Sequence, residues 1–318
     1  MSNRPGVSDA EFVELFKEYG ATEASRRLNI TERKVYARRE TLERRLKIPI
    51  PAPSGGKSNW PRPKQYPHRI HLEIGSGTII VASDAHYWPG PPSLMHKALV
   101  TFCKEYKPKA VIFNGDVIDA PTISRHAPIG WETRPQLADE IEAAKERLSE
   151  IEKATFKARK IWPLGNHDQR FESRIASVAP EYAKIHGVHL KDHFIHWEPC
   201  WSVWINNDVI CRHKQKAGEH APFNNTRDSG KSTITGHLHS AKVYPVTDYN
   251  GTRWGVDTGC IADTDAKAFV DYMEGAADMK WRSAFCVLTF KDGRLLQPEL
   301  VLKWNDDSVQ FRGEIIKV

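Results

Sequence analysis

The chain has no long apolar run: nowhere in its 318 residues does it approach the roughly 20 apolar positions that a bilayer span needs. Its first residues, MSNRPGVSDAEF, lack the apolar stretch of a secretory signal. Together these absences predict a cytoplasmic protein without a membrane partner. Cysteine is scarce, with five residues that are odd in number and never closer than eleven positions. That excludes a disulfide framework and a CxxC zinc site and leaves buried free thiols. Internal repeats and low-complexity tracts are lacking too. What remains is an ordinary globular composition, 40% hydrophobic and 27% charged, long enough for one large domain or a large domain with a small accessory.

The net charge of +6 is unevenly placed: between Thr22 and Lys47, nine Lys or Arg face four Glu, a local net of +5. A negatively charged partner is expected there. The same region reads as three short helices. Asp9 is placed to cap a helix through Tyr19 that Gly20 ends, Thr22 to Leu28 forms a second, and Thr31 caps a third with Val35, Leu42 and Leu46 inward. Helix, tight turn and basic helix resemble the helix-turn-helix of DNA-binding proteins, which makes Arg33, Lys34, Arg38 and Arg39 nucleic-acid-binding candidates on the outer face. The alternative is a helical cap whose charges are a solvated face or a mount for another protein.

Residues 49–68 hold six prolines and a Gly-Gly pair, the composition of a semi-rigid linker. We therefore expect a basic helical domain over 1–48, a linker over 49–68 and a second domain over 69–318. In the last, strand-like runs such as Thr78–Ala82 and Ala110–Phe113 alternate with helical stretches such as Leu94–Glu105 and Leu137–Lys160, which predicts an α/β domain.

Five apolar runs in this domain end in polar tips. IIVASDAHYW places Asp84 and His86 two apart, on one side of an extended chain, where a carboxylate and an imidazole can share an ion. VIFNGDVIDA presents Asp116 after Gly115, and KIWPLGNHDQR presents Asn166, His167 and Asp168 after Gly165. DVICRHKQ presents His213, preferred to His220 because a strand precedes it, and STITGHLHS presents His237 and His239. A further group, His186, His189, His193 and His196, has no tight ligand spacing and reads as solvated loop histidines.

The ordered series DxH, GDxxD, GNHD, His and GHxH resembles the calcineurin-like metallophosphoesterase family over roughly residues 78 to 262. The resemblance implies a four-layer αββα sandwich with a dinuclear site at its strand ends. Asp84, His86, Asp116 and His239 would bind one ion, and Asp116, Asn166, His213 and His237 the other. His167 would protonate the leaving oxygen, oriented by Asp168. Mixed nitrogen and oxygen donors suit two divalent ions, Mn first, with Fe, Zn, Ni or Mg as alternatives, and imply a metal-activated hydroxide as nucleophile.

Substrate is less specified. The phosphoprotein branch reads GDxxDRG and GNHE, whereas here Ala120-Pro121 follows Asp119 and the third motif ends in Asp168. The basic helices favour DNA or RNA as partner. Tyr87 and Trp88 are candidates to stack on a base, with wall packing as their alternative, and Arg125 and His126 to clamp a phosphate. The expected function is a phosphodiesterase or nuclease. The other reading is a small-molecule phosphatase or cyclic-nucleotide phosphodiesterase with a regulatory or oligomerising helical domain. Residues Thr264–Lys280 read as a lid or a surface loop, and oligomeric state is left open.

Overall fold

The computed structural model describes residues 7–52, 66–125, 133–264 and 280–318, and the chain divides into two compact units, Met1–Gln65 and Tyr66–Val318. The segment expected to be a lid lies outside the described residues, apart from its ends.

The first unit contains α1 (Asp9–Leu28) and α2 (Glu32–Leu46). Gly20, at φ 75° and ψ −178°, breaks α1, so three helical pieces result. Ser8, rather than Asp9, is the cap. Its Oγ accepts the Glu11 N–H at 3.3 Å while the Glu11 carboxylate accepts the Ser8 N–H at 2.8 Å, a capping box. Asp9 is instead held by Arg38, at 2.8 Å, and by Arg45. Phe12, Phe16, Ala24, Val35, Leu42 and Ile50 close a small core. Ile50 thus packs two residues past the expected end of this domain.

The outer face expected for α2 needs a correction. Arg33 and Lys34 are exposed. Arg38 and Arg39, however, lie over the Phe12 and Phe16 rings, at 4.6 and 5.2 Å from the centroids, and pair with Asp9 and Glu43. The helical period is the reason: positions 38 and 39 follow Val35 by three and four residues and precede Leu42 by four and three, on the buried stripe.

The second unit opens β1 (Ile70–Leu72), β2 (Gly77–Ala82), α3 (Leu94–Tyr106), β3 (Ala110–Phe113), α4 (Leu137–Ala154), β4 (Arg159–Pro163) and α5 (Asp168–Val178). It continues α6 (Leu190–His193), β5 (Glu198–Cys200), β6 (Val203–Ile205), β7 (Val209–Cys211), α7 (Ala221–Ser229) and β8 (Ser232–Thr235). Last come β9 (Lys242–Asp248), β10 (Gly251–Asp257), β11 (Ala284–Lys291), β12 (Arg294–Leu295), β13 (Glu299–Lys303), β14 (Ser308–Phe311) and β15 (Glu314–Lys317).

Among the described residues these strands form two sheets. One is ordered β15-β14-β13-β11-β2-β3-β4-β5, with β12 on β11, and the other β1-β6-β7-β8-β10-β9. Strands β2 to β5 are parallel, as short strands joined through helices must be. Side-chain alternation along β2 builds two cores. Ile79 and Val81 pack between the sheets with Val203, Val209 and Ile234, while Ile80 and Ala82 pack under α3 and α4 with Leu99, Phe102 and Leu148. Helix α7 lies against β8, β9 and β10, which completes a mixed α/β sandwich preceded by a helical region. Each such side chain contributes about 1.5–3 kcal/mol by burial, so the cores, rather than the polar loops, fix where the strand ends sit. Tyr66, expected in the linker, is buried in this unit. No described helix is long and apolar enough to cross a membrane.

Candidate metal centre

The polar tips of both sheets meet at one place. Asp84 and His86 follow β2, Asp116 follows β3, Asn166 follows β4, His213 follows β7, and His237 and His239 follow β8. All seven sit at carboxyl ends of strands, where open α/β sheets place their ligands. Three groups have ligand atoms within 4.8 Å of one another: Asp84, His86 and His239; His86, Asp116 and His167; Asp116, His213 and His237. Asp116 belongs to two of them. His220 belongs to none and stands 6.4 Å, ring to ring, from Tyr244.

Backbone conformation aims these groups. Asp84, His86, Asp116, His237 and His239 all have positive φ, between 43° and 74°, a region that L residues seldom adopt. Glycines clear the space behind them. A methyl on Gly165 would lie 2.0 Å from Asp116 Oδ1, one on Gly236 2.5 Å from Asp84 Oδ2, and one on Gly115 2.4 Å from His213 Nδ1.

The electrostatics suit a cation site. Asp84 and Asp116 are buried, and His213 Nε2 lies 3.0 Å from Asp116 Oδ2 and 4.0 Å from Asp84 Oδ1. Burial alone would raise both carboxyls; neighbouring imidazoles instead pull them down, His239 and His213 for Asp84 and His213 for Asp116. Burial would lower His213, yet Asp116 and Asp84 hold it up at about 10. His237, desolvated and beside His213, is depressed to about 4. These carboxylates therefore remain charged and ask for positive charge. His213 Nδ1 donates to the Asn114 carbonyl at 2.8 Å, which directs Nε2 toward the carboxylates. Asn166 Oδ1 is buried without a hydrogen-bond partner among the described residues. An orphan carbonyl oxygen, a directed imidazole and a glycine-cleared cradle all fit a pair of divalent ions.

His167 lies beside this set, its N–H donating to Asp116 Oδ1 at 2.8 Å and its ring 4.6 Å from that of His86. The carboxylate expected to orient it is a different one. His167 Nδ1 meets Asp119 Oδ1 at 2.6 Å, and Asp119 also lies 3.4 Å from His86 Nδ1. Asp168 points away from the imidazole. It accepts the backbone N–H groups of Asp116, Val117, Ile118 and Gly165 at 2.8–3.3 Å, and the Trp162 indole at 3.0 Å. The first residue of α5 thus turns its carboxylate back under the loops and ties the second motif to the third. Desolvation would raise Asp119, but His167 and His86 hold it well below the usual carboxylate range. Desolvation would likewise lower His167, and the Asp119 bond raises it.

Other expected contacts are partly redistributed. Tyr87 is wall rather than platform: it is buried, its hydroxyl 2.8 Å from His96 Nδ1. Trp88 is half-buried and Arg125 exposed; His126 lies outside the described residues. The loop histidines are tied to carbonyls, His189 to Ala183 and His193 to Gly187 at 2.8 Å each. Two side chains at the site were not anticipated from the sequence. Arg170 reaches His167 Nε2 at 3.3 Å and the Asp119 carbonyl at 2.8 Å, and its place three residues after His167, one helical turn on, was the available signal. Trp281 packs edgewise on His239 with centroids 4.8 Å apart, a contact no local pattern announces.

A family model described as calcineurin-like phosphoesterase matches residues 77–247. The Gene 54 protein of Mycobacterium phage D29 is 29% identical over 245 residues, covering 71% of this chain and 93% of that protein. The Gene 54 protein of Mycobacterium phage L5 is 28% identical over 250 residues, with the same coverage. Similar solved structures include zinc-complexed wild-type Vps29 from Entamoeba histolytica, at 14% identity, a TM-score of 0.41 and coverage of 76% of this chain and 98% of that one. They also include the E. coli phosphoesterase YfcE, at 12% identity, a TM-score of 0.33 and coverage of 75% and 96%.

Proposed function

The chain belongs to the calcineurin-like phosphoesterase family and is a metal-dependent phosphoesterase, and we propose that it is a phosphodiesterase cleaving DNA or RNA, with the helical unit holding the substrate. The reading rests on one conjunction. A full set of nitrogen and oxygen donors shares the chain with a helix-turn-helix-like unit whose exposed Arg33 and Lys34 have no carboxylate partner among the described residues.

We assign one ion to Asp84, His86, Asp116 and His239, and the second to Asp116, Asn166, His213 and His237. Mn is the first candidate, with Fe, Zn, Ni or Mg as alternatives; a bound pair lowers the pKa of a water and neutralises phosphate charge. The remaining chemistry belongs to side chains. His167 acts as an imidazolium: its Nε2 proton goes to the leaving oxygen, while its Nδ1–H stays on Asp119, which holds the ring in the direction that this requires. Arg170, already at His167 Nε2, is placed to meet a non-bridging phosphate oxygen with its remaining donors. Trp88 and Trp281 offer ring faces for a base, and Arg125 a cation farther out. All five cysteines are free and buried, as a reducing cytoplasm permits.

The second reading is a small-molecule phosphatase or cyclic-nucleotide phosphodiesterase with a regulatory helical unit. It is favoured by Arg38 and Arg39 being spent inside that unit, which halves the expected basic face. The deciding experiment resupplies stripped protein with Mn, Mg, Zn or Ni and compares labelled single- and double-stranded DNA and RNA with generic monoester and diester reporters. Nucleic-acid cleavage that disappears in His167→Ala and weakens in the R33A/K34A double variant is the expected result. Turnover of small reporters alone would overturn the nuclease reading in favour of the second.

A further inference from the structure

Glu140, in the first turn of α4, is fully buried, yet none of the chemistry above uses it. An acidic residue in a first turn normally complements the helix dipole from the surface; this one faces inward. Its Oε2 accepts two backbone N–H groups, from Asp119 at 3.2 Å and Ala120 at 2.8 Å. Its Oε1 has no hydrogen-bond partner among the described residues. Burial, opposed by the Ala120 N–H and aided by the charge of Asp119, pushes its carboxyl up to about 8, so the group rests as a neutral acid.

The corner it clasps is unusual. Ala120 has φ 52° and ψ 50°, left-handed space that an alanine holds only when its surroundings impose it. From that corner the Asp119 side chain reaches His167 Nδ1 and His86 Nδ1. Arg170 grips the same residue from the other side, through the Asp119 carbonyl at 2.8 Å. The Asp119 backbone is therefore held at its N–H by Glu140 and at its C=O by Arg170, and its carboxylate is aimed by both. A residue needed only for packing would be apolar here, because a buried carboxyl with one unsatisfied oxygen costs stability.

We propose that Glu140 is a positioning residue for the His167–Asp119 pair: by fixing the Asp119–Ala120 corner it holds the His167 ring in the tautomer and direction needed for proton delivery. The proposal rests on the reading of His167 as the group that protonates the leaving oxygen. Glu140 touches neither substrate nor reacting atoms, so its removal acts through aim. Proton delivery matters for a poor, alkoxide-like leaving group and little for nitrophenolate, which departs unprotonated, and that difference separates lost aim from general damage.

The test has two readouts on the full chain. The first is histidine 15N spectra of protein loaded with zinc, which is diamagnetic, to assign the His167 tautomer. The second is kcat and KM on paired diesters with alkyl and nitrophenyl leaving groups. In wild type the neutral His167 ring keeps its proton on Nδ1, held by Asp119, and the proton passed to the leaving oxygen is a second one, taken up at Nε2. Glu140→Leu is expected to lose that preference and to fall about 10- to 100-fold in kcat on the alkyl ester, with KM unchanged and less than about 3-fold loss on the nitrophenyl ester. Glu140→Gln, whose amide oxygen accepts the same two N–H groups, recovers most of the loss. An unchanged tautomer in Glu140→Leu, or equal losses on both esters, would overturn the proposal. If Glu140→Leu does not fold, Glu140→Asp, one methylene short of the corner, must show the same selective loss, and an unselective loss overturns it. His167→Ala is run in parallel. If it discriminates the two esters while the Glu140 variants do not, only the role of Glu140 falls; if it does not discriminate them, the reading of His167 falls and the proposal with it.

Discussion

A single methyl group at Gly165 should disable the metal centre without unfolding the domain. The added carbon would stand 2.0 Å from Asp116 Oδ1, 2.7 Å from its Cγ and 2.4 Å from its backbone nitrogen, whereas carbon atoms rest at about 3.5–4 Å from their neighbours. The conflict has to be relieved by more than 1 Å of movement. The clash reaches both the backbone nitrogen and the carboxylate of Asp116, so the two shift together, against the bond from the Asp116 N–H to Asp168 Oδ2 at 2.8 Å. Metal–ligand distances tolerate about 0.2 Å, and a displacement of about 1 Å at a reacting centre costs on the order of 100-fold in rate. Gly165→Ala should therefore lose at least about 100-fold in kcat/KM and bind fewer than two metals per chain by elemental analysis, with circular dichroism unchanged. Gly75→Ala, whose methyl meets nothing within 4 Å, should stay within about 2-fold of wild type. A folded Gly165→Ala protein with full metal content and full turnover would remove Asp116 from the residues assigned to hold metal.

Asp168 and Asp119 should separate cleanly. Asp168→Ala strips the acceptor from four backbone N–H groups and an indole, a loss of about 3–5 kcal/mol by urea denaturation; a loss below about 1 kcal/mol would show that those bonds do not brace the loops. Asp119→Asn should lose some stability, since His167 and His86 hold that carboxylate ionised in the fold, and lower kcat about 100-fold on poor leaving groups with metal content intact; normal turnover would remove Asp119 from the mechanism. Glu140 predicts a pH effect whose sign is fixed. Its carboxyl titrates near 8 in the fold against 4.5 in the unfolded chain, so the unfolded chain releases its proton first and stability falls as pH rises through that window. Glu140→Gln should remove a decline on the order of 2–4 kcal/mol between pH 5 and pH 8, and identical pH–stability curves for the two proteins would contradict it. If nucleic acid binds the helical unit, Arg33→Ala should reduce the salt slope of binding by about one with stability unchanged. Arg38→Ala should instead lower the melting temperature of that unit, and the reverse pattern would return Arg38 to the binding face.

The gathering of these donors at one place was legible because its signal is local and repeated. Each of Asp84, Asp116, Asn166, His213 and His237 ends an apolar run, and parallel strands of similar length bring such ends together whatever fills the rest of the fold. The carboxylate that meets the His167 ring was not legible. Asp168 adjoins His167 in sequence, but helical geometry rotates consecutive side chains by about 100°, so the neighbour faces the loops. The residue facing the imidazole, Asp119, comes from another strand end 48 positions away. Arg38 and Arg39 were legible and misjudged: their charge argued for the outside, while their spacing from Val35 and Leu42 placed them on the buried stripe, and two carboxylates with two aromatic faces made that burial tolerable. Tyr87 depended on His96 of α3 lying across it, a contact between elements that the pattern within IIVASDAHYW cannot contain.

The strained backbone has the same origin. Five of the seven assigned ligands hold positive φ; Asp and His enter left-handed space more readily than most residues, but five such positions in one site are more than that tolerance alone explains. The arrangement persists because bonds between strand ends over-determine it. The Asp84 N–H donates to the Gly115 carbonyl at 2.9 Å, those of Ala85 and His86 to the Asp116 carbonyl at 2.9 and 3.1 Å, and that of His237 to Asp84 Oδ2 at 2.9 Å. Each tip is thus held by the next, and the two cores hold the strands from which the tips project. A site built this way is rigid before any ion arrives, since no single ligand can relax to ordinary backbone space without breaking a bond to its neighbour. Little ordering is then left for ion binding to impose, and binding energy is available to polarise the phosphate instead of to assemble the site.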